Sequence, residues 1–181
     1  MHGILGPDQF PIAELSAMAL DGELVAIDRG YARFDEFPTP RLRAAGMLLD
    51  HDKLIAERGT AAWIWGARSC PPVPHEFCTA QEARIAHRSQ PHVIIREVVL
   101  QPSEVVRVGG VQVTTPLRTT ADLARFTDRW TPRDETTVIT LMRECNLSLE
   151  TLTVELSRHK LPHKRRAMER VLQAWSVLSQ S

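Results

Sequence analysis

Arg118, Asp122 and Arg125 stand four and three residues apart. On a helix this spacing sets one carboxylate between two guanidiniums on a single face. Such a group either braces the helix against its neighbour or holds Arg118 ready for an anion or a partner. Thr115 and Pro116 come just before it, as an N-cap and a first helical residue. Leu117, Ala121, Leu123 and Ala124 provide apolar surface toward a preceding hairpin.

A second concentration of charge lies near the C-terminus. Arg158, Lys160, Lys164, Arg165, Arg166 and Arg170 are the candidate contacts for DNA or an acidic partner. The plainer reading is a solvated helix face. Positive charge at a helix N-terminus opposes the helix dipole, which favours a functional reason. His159 and His163 add charge below about pH 6.5. Trp63 and Trp65 are either core aromatics or anchors for a protein partner. Cys70, His75 and Cys78 contain metal-binding types, but a structural zinc site wants four ligands at closer spacing, and the fourth would be a distant His87 or His92. No metal and no cofactor is expected. The chain shows no Gly-rich phosphate loop, nucleophile elbow or helical pair of metal-binding histidines, and Arg96-Glu97 lacks the following acid-x-Lys of a metal-dependent nuclease. The expectation is a protein that is not an enzyme.

These residues need elements to position them. Phe10 to Leu20 reads as a helix with Pro11 as its first helical residue, closed by Asp21-Gly22. Leu24–Ile27 and Tyr31–Phe34 alternate as strands around Asp28-Arg29-Gly30. A helix followed by a hairpin is the second half of a winged helix-turn-helix. Arg41–Leu49 reads as a helix, and Thr60 as the N-cap of a helix carrying both tryptophans. Leu54–Ala56 is ambiguous. Glu76–Thr79 and Val93–Leu100 are strands, and Val105–Val108, Gly109-Gly110 and Val111–Thr114 make the clearest hairpin. Helices follow at Pro116–Phe126, Asp134–Cys145, Ser148–Arg158 and Pro162–Leu178.

The 181 residues suit one domain with an appendage. The formal charge is zero but unevenly placed: residues 1–50 sum to −4 and residues 156–170 to +5. No apolar run is long enough for a membrane span, and no secretory signal is visible. Three cysteines outside any disulfide framework point to a reducing cytoplasm.

The run Thr114-Thr115-Pro116-Leu117-Arg118-Thr119-Thr120-Ala121-Asp122-Leu123-Ala124-Arg125 after a Gly-Gly hairpin resembles actinobacterial members of the AbiE-type antitoxin family, the type IV antitoxins. Leu20-Asp21-Gly22-Glu23-Leu24 with Arg29-Gly30-Tyr31, Thr60-Ala61-Ala62-Trp63-Ile64-Trp65-Gly66, and Leu149 to Trp175 are similar to further stretches of that family, in its order. The resemblance implies a winged helix on operator DNA that represses its own operon, and a second domain countering a nucleotidyltransferase-like toxin. Two departures from the family pattern are expected: an N-terminal winged helix truncated to the nine residues before the would-be recognition helix, and no nuclease-like domain of the kind some relatives carry after the tail. The helix from Pro11 to Leu20 has no Arg, Lys, Asn or Gln for base edges, and Glu14 repels phosphate. The alternative is a stand-alone interaction module that has lost DNA binding. The fold expected is α+β: a degenerate winged-helix segment at 1–37, a mixed α/β middle domain at 38–130 and a helical tail at 131–181.

Overall fold

The computed structural model describes residues 3–49, 53–80, 92–158 and 163–180. The chain opens with helix α1 (Ile12–Leu20) and a two-stranded antiparallel hairpin, β1 (Leu24–Ile27) and β2 (Gly30–Arg33). Pro11, expected as the first helical residue, is the N-cap of α1. Leu5 bridges to Tyr31 and so lies beside β2. Only Leu15 of α1 is buried. Helix α2 (Pro40–Gly46) is capped by Thr39, whose Oγ1 accepts from Leu42 N at 3.3 Å.

The ambiguous stretch at Leu54–Ala56 becomes the centre of the sheet. Strand β3 (Ile55–Ala56) is two residues long, both buried. It pairs antiparallel with β4 (His75–Ala80) and parallel with β7 (Val111–Thr114). Strand β5 (Val93–Val98) lies parallel beside β4, and β6 (Val105–Val108) antiparallel beside β7, giving the order β5-β4-β3-β7-β6. Gly109 and Gly110 both take positive φ, as the two-residue turn between β6 and β7 requires. A Cβ on Gly109 would run into the Arg41 carbonyl of α2.

Helix α3 (Arg58–Ile64) starts two residues before the expected cap. The Glu76 carboxylate accepts from Gly59 N at 2.7 Å, filling the capping role from the sheet. Thr60 therefore bonds elsewhere, and its Oγ1 accepts from Glu76 N at 2.8 Å. Four helices complete the chain: α4 (Pro116–Phe126), α5 (Pro132–Glu144), α6 (Leu149–Ser157) and α7 (Lys164–Leu178). The Pro162 start expected for the last one lies outside the described residues. Ser148 caps α6, accepting from Thr151 N at 3.1 Å.

Two apolar cores result. One gathers Ile27 and Ala32 of the hairpin, Ala44 of α2, Phe77 and Val113 of the sheet, and Trp63 and Ile64 of α3. The other gathers Leu123 and Ala124 of α4, Leu141 and Met142 of α5, Leu152 and Leu156 of α6, and Val171 of α7. Helix α3 serves both, because Ala62 belongs to the second. The fold is α+β, with a helical C-terminal part. No described helix is long and apolar enough to cross a membrane.

Candidate functional site

The stretch from β7 into α4 is held by threonine hydroxyl bonds. Thr115 Oγ1 accepts from Arg118 N at 3.3 Å and Pro116 opens the helix. The Thr119 and Thr114 hydroxyls meet at 2.7 Å. Arg118 then donates Nε to Asp122 at 2.8 Å and Nη1 to Glu104 at 2.8 Å. Arg125 reaches the other oxygen of Asp122 at 3.3 Å. Burial pushes the Asp122 carboxyl up, and Arg118 beside it opposes that shift. Burial also works against the Arg118 charge, but Asp122 and Glu104 outweigh it and hold the guanidinium above its usual range.

A second charged group lies next to the first. Glu57 is fully buried. It accepts Nε and Nη2 of Arg96 at 2.7 and 2.6 Å, a bidentate pair. Arg58 adds a contact to Glu57 at 3.4 Å and one to Glu76 at 2.8 Å. Neither Glu57 nor Glu104 stands out in the sequence as a partner, and Arg96 enters there only in Arg96-Glu97, which lacks the rest of a nuclease pattern. The one signal is Glu57-Arg58 at the start of the Trp63 helix, but the partner of Glu57 is 39 residues away in sequence.

Both groups border one cleft of about 620 Å³. Arg96 of β5, Arg118 and Arg125 of α4, and Arg158 after α6 line it, together with Glu97, Glu104 and Glu155. Phe126 contributes an aromatic wall, with the Arg96 and Arg125 guanidiniums 4.7 and 4.5 Å from its ring centre. Guanidinium forks of this kind receive carboxylates or phosphates. The carboxylates interleaved among them suit a protein surface of mixed charge better than a bare polyanion.

The structure splits the basic tail. Lys160 lies outside the described residues. Lys164 and Arg165 are exposed, and Arg165 pairs with Glu169 at 3.1 Å. Arg158 is exposed and pairs with Glu155 at 3.0 Å. Arg170 corrects the expectation of a surface contact. It is buried, donates to Ala124 O at 2.8 Å and lies over the Trp130 ring at 4.4 Å. Arg166 is half-buried and donates to Arg125 O at 2.6 Å. Both bind the C-terminal carbonyls of α4, where a helix welcomes positive charge.

Trp63 is a second correction: it is buried in the first core and presents nothing to a partner. Trp65 is half-buried, with Nε1 donating to Thr114 O at 2.9 Å. Cys70 is exposed and Cys78 buried, and no grouping of metal-binding side chains occurs among the described residues. Thr60, His75 and Asp28 form a chain, with His75 Nδ1 3.5 Å from Thr60 Oγ1 and Nε2 3.0 Å from Asp28 Oδ1. Thr60 is fully buried, and the chain ties the hairpin turn to the sheet.

A model of the AbiEi antitoxin C-terminal domain matches residues 44–171. The stretch includes the whole cleft and half of α7. The crystal structure of the RV2827C protein from Mycobacterium tuberculosis is similar at a TM-score of 0.51 and 14% identity, covering 95% of this chain and 70% of that one, which marks a shared fold. No curated protein matches the chain.

Proposed function

The chain belongs to the family of the AbiEi antitoxin C-terminal domain, and from that premise we propose that it is a cytoplasmic, non-catalytic antitoxin that binds a cognate nucleotidyltransferase-like toxin and acts on operator DNA as an autorepressor. The observation that carries the toxin reading is the cleft of four arginines and three glutamates within the matched stretch. Arg96 and Arg118 are fixed there by buried carboxylates, so a partner surface meets them already oriented. For DNA, the exposed cations Arg158, Lys164 and Arg165 are the contacts, and α1 with its hairpin is the degenerate winged-helix segment.

One observation favours a second reading, an interaction module without DNA binding. Helix α1 carries Glu14 and none of the Arg, Lys, Asn or Gln side chains that make the usual base-edge contacts. The experiment mixes the purified chain with the toxin-like product encoded beside its gene, and separately with its own promoter DNA. Co-elution with the first and a salt-dependent shift of the second are expected. Binding of toxin alone selects the second reading, and binding of neither at low salt overturns both.

A further inference from the structure

The residues around α1 and the first hairpin are unusually apolar for a surface. Ile12 is 61% exposed, Leu20 89%, Phe34 67% and Phe37 83%. Val25 is also exposed, and only Leu15 of α1 is buried. Exposed large side chains gathered on so short a segment offer apolar surface to a protein contact. The same segment is acidic: residues 3–37 hold seven acids and two bases, a formal charge of −5.

The opposite character occurs on α7. Of its four bases, Lys164 and Arg165 are exposed, whereas Arg166 and Arg170 turn onto the α4 carbonyls; its one acid, Glu169, pairs with Arg165. Leu172, seven residues after Arg165 and so on the same face of the helix, is 48% exposed. An apolar, acidic head and an apolar, basic tail are complementary. Within one molecule they pack on different elements. Helix α1 packs chiefly on β1 and the hairpin on α2, whereas α7 packs on α4, α5 and α6.

We propose that the head of one chain docks on the α7 face of a second copy. Two heads facing each other would place like charges together, which disfavours a head-to-head dimer. Reciprocal head-to-tail docking lets each copy offer both surfaces and closes the pair with two-fold symmetry. DNA phosphates compete for Lys164 and Arg165, so the dimer and a DNA complex through those residues are alternatives.

The test reads the mass of the pure chain in solution by light scattering, with neither toxin nor DNA present, so its outcome is separate from that of the antitoxin reading. At roughly 100 µM in low salt, twice the monomer mass is expected, falling toward the monomer as salt rises. The head variant Glu14→Lys/Asp21→Lys/Glu23→Lys and the tail variant Lys164→Glu/Arg165→Glu are each expected to dimerise at least about tenfold more weakly. Mixed together they regain the dimer, because each reversed surface then faces an opposite one. Leu20→Ser/Phe34→Ser changes two exposed side chains outside both cores, removes the apolar part of the contact and gives a monomer. A chain that is monomeric in low salt overturns the proposal. So does a dimer indifferent to these substitutions, or a mixture that stays monomeric.

Discussion

Arg96 places two nitrogens on the two oxygens of Glu57, at 2.7 and 2.6 Å, at the edge of the cleft. The carboxylate has no exposure to water, while the Arg96 side chain retains 26%. Removing the arginine strands a charge in the interior. Arg96→Leu is expected to lower unfolding free energy by about 3–5 kcal/mol in urea titrations. Arg58 offsets part of that loss. The double variant Glu57→Leu/Arg96→Met should recover much of it, since an apolar pair leaves no charge unpaired.

Arg118 makes a sharper case, because its geometry and not only its charge is used. It spans Asp122 and Glu104 with separate nitrogens. Lysine cannot make both bonds in that fork. Arg118→Lys should cost roughly 2 kcal/mol or more in the same titration, close to Arg118→Ala. Full stability in the lysine variant would show that charge alone suffices.

The cations of α7 should separate in their effects. Arg170→Ala removes a charged hydrogen bond and a stacked ring contact, and is expected to cost about 2–4 kcal/mol. Lys164→Ala/Arg165→Ala should leave the urea midpoint where it is, because exposed ion pairs contribute little. The latter pair should instead weaken any binding of DNA, measured by mobility shift across a salt series.

Cys70 and Cys78 should differ in reactivity. The Arg133 guanidinium donates to Cys70 Sγ at 3.1 Å and, with Ser69, holds the thiol below its ordinary range. Burial pushes Cys78 far up. A lowered pKa means more thiolate at neutral pH, so iodoacetamide should label Cys70 first. Its rate-versus-pH midpoint should lie below that of a free cysteine, about 8.5. Arg133→Ala should move that midpoint upward. An unchanged midpoint would rule out the Arg133 contact as the cause.

The local features of the sequence carried well into the structure. The Thr115 cap, the Gly109-Gly110 turn, the Arg118–Asp122–Arg125 spacing and the Ser148 cap all depend on neighbours in the chain, and each is present. What was hidden depends on distance. Strand β3 is too short to show a period, and takes its role from β4 and β7 on either side. Glu57 and Arg96 meet only once β5 is beside β4. Arg170 looks like a surface charge in a basic run, and only the end of α4 explains why it turns inward.

Helix α4 joins the sheet through Thr114 and Thr119 and the helical bundle through Leu123 and Ala124. It is a wall common to two rooms. A polypeptide cut after residue 130 would keep α4 but strip away α5, α6 and α7, leaving its apolar side facing water and its last carbonyls without Arg166 and Arg170. Such a fragment should collect in the insoluble fraction or be degraded on expression. The cleft therefore cannot be carved out as a minimal module, because its back wall is held up by the bundle behind it.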